Sequence, residues 1–254
     1  MRARWLSILV VAALGAPAAR AAEVTTLPAP TGAGIERGIA LLRCKVPGTP
    51  RSFLSRGAVL EVGAHEHADV LLTTAHGLPA SAPEVVRDCR VVARGKEYAI
   101  DDVWHAGGDA LGAGNDWAVV LSKRIHGDLH RWRVGELGDQ SLAKLVADRA
   151  PVRLAMRYAD VGTLTDCHLE PRASLSPRLV AHTCLSYPGM SGSPLILGIA
   201  DEPVLIGLHV GSGLEWTGLK IDMVSVAQPI DAPVIAAILA AAARASPPPA
   251  RSRR

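Results

Sequence analysis

Aromatic side chains are scarce in this sequence, which has five tryptophans, three tyrosines and one phenylalanine among its 254 residues. Small and β-branched residues dominate its apolar content instead. Together with 24 glycines and 18 prolines, this composition indicates many short strands joined by turns. Beyond the N-terminal region, the sequence also lacks any apolar run long enough to span a bilayer.

The apolar run at residues 5–14 is too short to cross a membrane comfortably. A basic start at 1–4 precedes it, and a run rich in small residues with an Ala-Arg-Ala site at 19–21 follows it. This pattern predicts a signal peptide over residues 1–21, and a buried N-terminal helix is the alternative. We therefore expect an exported protein, periplasmic or extracellular, with no membrane association after signal removal.

An excess of positive charge is also lacking. The formal net charge is +3, but three arginines lie in the predicted signal peptide and three in the Pro-rich tail at 246–254. The remainder is slightly acidic, which argues against a nucleic-acid partner.

Cysteine is limited to four residues, and the sequence contains no Cys-x-x-Cys pair of the kind that indicates a zinc site. An even number in an exported chain favours two disulfides. Cys167 and Cys184 flank one predicted hairpin and are expected to pair, which leaves Cys44 for Cys89. Unpaired buried thiols are the alternative.

The order of strands predicts an all-β fold of two small closed barrels, because six short strands are followed by six more without alternating helices. A helix at 231–245 begins near a proline and carries apolar residues on one face. The expected organisation is a flexible lead-in or short propeptide at 22–34, the first barrel at 35–140, the second barrel at 141–230, the helix, and a disordered tail at 246–254. Strands are expected at 39–46, 57–62, 70–74, 90–93, 97–103 and 117–121, then at 152–158, 162–170, 179–184, 194–199, 204–210 and 220–227.

Three short motifs carry the chemistry. Gly189-Met190-Ser191-Gly192-Ser193-Pro194 places a serine in a glycine-rich turn whose amides can converge on an oxyanion. His76 ends Thr73-Thr74-Ala75-His76, and Asp116 leads into an apolar strand. A serine hydroxyl needs a nearby base, and an imidazole base needs a carboxylate to fix its tautomer.

Each motif has a plainer interpretation when it stands alone. A histidine at a strand end and an aspartate before a strand are both commonly structural. Asp101, Asp102 and Asp109 are rival carboxylates, although none leads directly into a strand as Asp116 does. The segment 65–67 (His-Glu-His) could bind a metal, but a solvated turn explains it better, so neither a metal nor a cofactor is expected.

Together, in this order, the three motifs resemble those of the trypsin-like, chymotrypsin-fold serine peptidases, within the bacterial branch that includes the glutamyl endopeptidases. The resemblance spans residues 35–245. It implies two six-stranded antiparallel barrels with the active site in the cleft between them. It also implies His76, Asp116 and Ser191 as the catalytic residues, with the amides of Gly189 and Ser191 as the oxyanion hole.

The resemblance extends to substrate-binding positions. Val210, Gly211 and Gly213 are expected to pair with an extended polypeptide substrate by strand addition. Leu185 stands where cleavage after Lys or Arg requires an aspartate, so a cationic side chain is not expected there. Ser186 and His209 match positions that bind glutamate in glutamyl endopeptidases, and a purely structural His209 is the alternative. Met190 cannot pair with a new N-terminal amine, so trypsin-style activation is not expected.

These features predict a monomeric, exported serine endopeptidase that acts through an acyl-enzyme, with preference for Glu before the cut as a further hypothesis. The alternative from another class is a catalytically silent peptide-binding module on the same fold. A dedicated esterase or single-target peptidase is a third possibility.

Overall fold

The structure, a computed structural model, describes residues 35–46, 48–62, 67–79, 81–105, 115–135, 137–158, 161–172, 178–197, 203–217 and 220–245. The predicted signal peptide, the lead-in and the C-terminal tail lie outside these residues, as do Asp109, His65 and Glu66. In the described ranges, no helix combines the length and apolar character that crossing a membrane requires.

The first barrel is built from six strands: β1 (Ile39–Lys45), β2 (Ser52–Val59), β3 (Ala68–Thr73), β4 (Cys89–Ala93), β5 (Lys96–His105) and β6 (Ala118–Lys123). They form a closed antiparallel ring in the order β1-β2-β3-β6-β5-β4. A 3-10 helix at Ile35–Gly38 precedes the barrel, and helix α1 (Ala82–Asp88) connects β3 to β4.

The second half of the chain contains β7 (Arg133–Val134), α2 (Asp139–Ala147), β8 (Pro151–Tyr158), β9 (Val161–Glu170), β10 (Val180–His182), β11 (Pro194–Leu197), β12 (Val204–Thr217), β13 (Lys220–Pro229) and α3 (Ala232–Ala245). The second barrel closes through the order β11-β8-β9-β10-β13-β12, because β11 also pairs with β12. The short strand β7 joins β12 in parallel and lies outside this antiparallel ring. The predicted all-β fold of two barrels with a C-terminal helix is confirmed.

Three apolar clusters hold the fold together. One fills the first barrel around Leu71 and Val120, and another fills the second around Leu154 and Leu195. The third lies between the barrels and joins residues of both to helix α3. Strand β3 is buried at all six positions, since one face lines the first barrel and the other contacts the shared cluster. This shared cluster fixes the cleft in which residues from the two barrels meet.

Both predicted disulfides are present. Cys44 pairs with Cys89 between β1 and β4, and Cys167 pairs with Cys184 at the end of the β9–β10 hairpin. No free cysteine remains in the described ranges. Two disulfides fit a protein of an oxidising compartment outside the cytoplasm.

The strand predictions differ from the structure mainly at strand ends. Strand β2 starts at Ser52 rather than residue 57, and its extra residues include Phe53, whose relative exposure is 64%. Strand β12 continues to Thr217, and β7 and α1 have no counterpart among the predicted elements. Pro83 and Glu84 near the start of α1 are the start signals that could have indicated it.

Candidate active site

His76 and Asp116 meet at the mouth of the first barrel, where β3 ends and β6 is about to begin. The His76 ring nitrogen Nδ1 lies 2.6 Å from Asp116 Oδ2, and the His76 backbone N–H donates to Asp116 Oδ1 at 2.9 Å. The Asp116 side chain is completely buried, whereas the His76 side chain is 30% exposed. One buried carboxylate therefore fixes both the backbone and the ring of an accessible histidine, and the accepting carboxylate favours the Nδ1–H tautomer.

The two rival aspartates of β5 lie in other interactions. Asp101 pairs with Lys123 at 3.0 Å, and Asp102 pairs with Arg244 of α3. Within the described residues, Asp116 is the only carboxylate that pairs with the ring of His76.

The turn around Ser191 depends on two glycines with positive φ, Gly189 at +88° and Gly192 at +85°. L-residues with a side chain rarely adopt this conformation. At Gly192 a Cβ atom would overlap the carbonyl oxygen of Arg56, so space as well as φ requires glycine there. The sequence predicted a glycine-rich turn around Ser191, and in the structure Ser191 is half-buried between these two glycines.

The backbone amides of this turn fall into two groups. The N–H groups of Met190, Gly192 and Ser193 donate to the carbonyls of Tyr187, His209 and Met190 at 2.8–3.1 Å. Within the described part of the chain, the N–H groups of Gly189 and Ser191 have no acceptor. Two unpaired donors on either side of one residue form a site that can accept an anionic oxygen.

The Ser191 hydroxyl donates to the carbonyl of Val210 at 3.1 Å. Val210 is an extra residue in β12, because the register with β13 shifts between His209 and Gly211. Such a bulge leaves a carbonyl outside the ladder. Among the described residues, no hydrogen bond joins Ser191 to His76, so the two side chains are not engaged with each other in this state.

The predicted acid-binding residues lie on the side of the second barrel. His209 is buried, and its backbone pairs with Gly192 and Ser193 in the serine turn, at 2.8 and 2.9 Å. Ser186 Oγ contacts the hydroxyls of Ser212 and Ser225, the latter at 2.9 Å. Leu185, half-buried, directly precedes Ser186. The structure thus brings His209 to the serine turn and groups the three hydroxyls of Ser186, Ser212 and Ser225.

A second buried histidine supports His209. The ring nitrogens His182 Nε2 and His209 Nδ1 are 3.1 Å apart. Burial, followed by the neighbouring His209, lowers the pKa of His182 to about 3. Burial, followed by the charges of His76 and Arg56, lowers the pKa of His209 to about 4. Both rings are therefore neutral at pH 7, and His209 acts as a hydrogen-bonding group rather than a cation.

This histidine pair predicts a loss of stability in mild acid. Between pH 6.5 and about pH 4, both histidines are protonated in the unfolded chain but remain neutral in the folded protein. The free energy of unfolding therefore decreases as pH falls. At pH 5 each ring contributes a loss of about 2 kcal/mol. Urea unfolding at pH 7 and pH 5 measures the change. The His182→Gln variant should lose less stability than the wild type, whereas His126→Gln, at an exposed position, should behave like the wild type. An unchanged acid dependence in His182→Gln contradicts the assignment.

The predicted substrate edge, Val210 to Gly213, lies on β12. In the described strands, residues 211–217 pair with β13 on one side and have no strand on the other. An unpaired edge beside the serine turn can accept an extended peptide as an added strand.

Several residues of this region were not predicted. His182 had no partner pattern in the sequence, although it is a polar residue in the otherwise apolar β10. Ser212 and Ser225 are common residue types in strands and gave no separate indication. Arg56 donates to the carbonyl of Gly189, 133 positions away, and no local pattern could have indicated that contact.

A cavity of about 590 Å³ borders the turn on the side of β2 and β8. Its lining is mainly apolar and includes Leu54, Met156 and Tyr187, with Arg56 and Gly189 at one edge. It contains none of His76, Ser191 or His209. The hydroxyls of Ser186, Ser212 and Ser225 do not line this cavity either, although Gly189 and Met190 of the serine turn do.

The chain matches no protein-family model and no curated protein. Among solved structures it is similar to the protease Anisep from Arthrobacter nicotinovorans, with a TM-score of 0.58 and 10% sequence identity. The match covers 82% of this chain and 96% of that chain. A likeness at this level of identity is one of fold, and it is consistent with the chymotrypsin-like arrangement of two six-stranded barrels.

Proposed function

We propose that the chain is an exported serine endopeptidase that cleaves polypeptides through an acyl-enzyme. The observation that carries the proposal is the 2.6 Å contact between His76 Nδ1 and the buried Asp116 carboxylate. The two unpaired amides around Ser191 support it. The two disulfides, the predicted signal peptide and the fold shared with a protease agree with it.

In the proposed reaction, Ser191 Oγ attacks the carbonyl carbon of the scissile bond while His76 Nε2 takes the hydroxyl proton. Asp116 keeps the other ring nitrogen protonated, which leaves Nε2 with the lone pair that the base requires. The carbonyl oxygen becomes negative and accepts hydrogen bonds from the amides of Gly189 and Ser191. His76 then gives its proton to the leaving amine, and the acyl-enzyme forms. In the second half of the reaction, water attacks the acyl carbon while His76 takes its proton, and His76 then returns that proton to Ser191 Oγ as the acyl group leaves.

The reaction requires Ser191 to leave the Val210 carbonyl. Rotation of the serine side chain about its Cα–Cβ bond, between staggered positions, redirects the hydroxyl without backbone movement. A neutral hydroxyl-to-carbonyl hydrogen bond contributes only about 0.5–1.5 kcal/mol net. Productive substrate binding can therefore offset its loss, and resting enzymes often show such unengaged geometry.

A fluorophosphonate probe tests the proposal on the purified mature chain. The activated serine should displace fluoride and form an Oγ–phosphorus bond, and peptide mass mapping should locate the added mass on Ser191. Heat-unfolded protein is the control and should not react. Folded protein that reacts with no serine-directed probe and cleaves no polypeptide would overturn the proposal.

The second candidate is a silent peptide-binding module on the same barrels. The hydrogen bond from Ser191 to Val210, rather than to His76, is the observation that favours it. This candidate expects peptide binding along the free edge of β12 with no probe adduct. The same labelling experiment, combined with a peptide-binding measurement, separates the two functions.

We further propose a preference for glutamate before the cut. Neutral His209 and the hydroxyls near Ser186 offer hydrogen-bond donors to a carboxylate, and half-buried Leu185 offers nothing to a cation. Hydrogen bonds to a charged group stabilise by about 1.5–3 kcal/mol. A peptide library profiled at the cleaved bond measures the preference, and no enrichment of Glu or Asp contradicts it.

The His209→Ala variant should lose this preference selectively. We expect kcat/KM for a Glu substrate to fall about 10- to 100-fold, while the value for the matched Gln substrate changes by less than about threefold. The Glu-to-Gln pair controls for general damage to the site, because both side chains have the same shape. An equal fall for both substrates indicates a structural role for His209.

A further inference from the structure

Arg56, on β2 of the first barrel, reaches across to two segments of the second barrel. Its Nη2 and Nε atoms donate to the carbonyl of Arg157 at 2.8 and 3.3 Å, and its Nη1 donates to the carbonyl of Gly189. One planar guanidinium thus holds the end of β8 and the serine turn together. Arginine suits this task because its donors form a rigid fork.

The backbone of Arg56 also contacts the serine turn. Its N–H donates to the carbonyl of Ser191 at 2.9 Å. Its carbonyl accepts from Thr73 Oγ1 and packs so closely on Gly192 that no side chain fits there. Thr73 ends β3, three residues before His76. Arg56 therefore contacts three segments of the site: Gly189, Ser191 to Gly192, and Thr73 at the end of the strand that leads to His76.

The charge of Arg56 has no carboxylate partner among the described residues, because its side-chain bonds all go to backbone carbonyls. Other partly buried arginines differ. Arg124 and Arg131 pair with the buried Asp69, and Arg153 pairs with Asp166. Partial burial accordingly lowers the pKa of Arg56. Burying the charge of Arg56 without a carboxylate partner is unfavourable. Its presence here therefore indicates a role at the serine turn beyond charge neutralisation.

The contact with Gly189 falls on one of the two positive-φ glycines of the turn. Gly189 has a φ of +88°, and glycine moves among backbone conformations more freely than any other residue. Its carbonyl belongs to the peptide unit that leads to Met190. That unit connects the peptide unit that carries the Gly189 N–H to the one that carries the Ser191 N–H. Holding its carbonyl therefore restrains the direction of the two unpaired amides relative to each other.

We propose that Arg56 is a positioning residue for the reaction proposed above: its guanidinium holds the Gly189 carbonyl so that the amides of Gly189 and Ser191 point at one oxygen. The inference rests on the proposed function, since those amides matter only if an oxyanion forms there. Arg56 acts through the Gly189 carbonyl and does not itself contact substrate. Its effect is on the transition state, because the ground-state carbonyl requires less exact alignment than the oxyanion.

Three variants test the proposal. Arg56→Met keeps a long side chain without donors, and Arg56→Lys keeps the charge without the fork. Arg153→Met is the matched control, since it removes a partly buried arginine from β8, away from the serine turn. We expect kcat of Arg56→Met to fall about 10- to 100-fold with KM within threefold, as for a small misplacement of catalytic groups. Arg56→Lys should recover only part of kcat, and Arg153→Met should match the wild type.

A peptide aldehyde, which forms a hemiacetal oxygen in the same position as the oxyanion, gives a second readout. Its affinity for Arg56→Met should fall in proportion to kcat/KM. A kcat within twofold of the wild type overturns the proposal. So does a loss confined to KM with unchanged aldehyde affinity, because that result indicates a general packing role.

Hydrogen exchange separates this inference from the proposed function. The amides of Met190, Gly192 and Ser193 should exchange faster in Arg56→Met than in the wild type and in Arg153→Met, whether or not the chain is a peptidase. Unchanged exchange overturns the positioning role even in an active enzyme. A wild type without activity refutes the proposed function, and faster exchange in Arg56→Met would then still support the structural contact. If Arg56→Met does not fold, the exchange of the same amides is compared between Arg56→Lys, the wild type and Arg153→Met.

Discussion

Replacing Ser191 with alanine is expected to abolish both polypeptide cleavage and fluorophosphonate labelling. In the proposed mechanism the variant removes the atom that forms the acyl bond, so kcat should fall about a millionfold, to the residual rate that binding and the proposed oxyanion site sustain. The fold should not change, because the hydroxyl makes one neutral hydrogen bond, to Val210. Casein digestion and probe labelling of matched, folded samples measure the effect.

Ser193 provides the matched control two residues away. Its hydroxyl is buried and has no hydrogen-bond partner within the described structure. Ser193→Ala should therefore retain labelling and keep kcat within about threefold of the wild type, at equal or higher stability. Undiminished labelling of Ser191→Ala, or complete loss of labelling in Ser193→Ala alone, would show that Ser191 is not the nucleophile.

Replacing Asp116 with asparagine should reduce kcat about ten-thousandfold. The asparagine oxygen can still accept from the His76 backbone N–H, which the carboxylate oxygen Oδ1 accepts at 2.9 Å. Its NH₂ group then faces His76 Nδ1 and stabilises the tautomer that carries the proton on Nε2. Histidine in that tautomer cannot take a proton from serine. Steady-state kinetics on a peptide ester should show the fall in kcat with little change in KM.

Asp101→Asn is the control for this prediction. Asp101 is one of the rival aspartates, and it pairs with Lys123 on the surface, where the Lys123 side chain is 62% exposed. Such pairs contribute only about 0–1 kcal/mol, so the variant should match the wild type in both rate and stability. A large loss in Asp101→Asn, with Asp116→Asn active, contradicts the assignment of Asp116.

Much of the fold could be predicted from local sequence. Strands such as β3 and β6 are apolar runs bounded by turn residues, and the Pro-containing start of α3 marks its helix. Prediction failed where tertiary contacts decide the structure. The first three residues of β2, Ser52–Leu54, are exposed, and they form a strand because β1 pairs with them up to Lys45↔Ser52. No pattern in the segment itself specifies that pairing.

The candidate site divides in the same way. His76, Asp116 and Ser191 could be proposed from the sequence because each lies in a short motif of neighbouring residues, such as the glycines around the serine. The pairing of His182 with His209, and the reach of Arg56 to Gly189, join residues far apart in the chain. Single residues of common types carry no indication of such partners, so these contacts emerge only from the folded arrangement.

The position of α3 has a consequence for the order in which the molecule matures. Although this helix follows the second barrel in the chain, it packs on β3, β5 and β6 of the first, and Val234 and Ile238 belong to the cluster shared by both barrels. The segment that covers this apolar face of the first barrel is therefore synthesised only after the whole second barrel. The interval before that helix docks is the period in which a nascent chain would most need protection from aggregation.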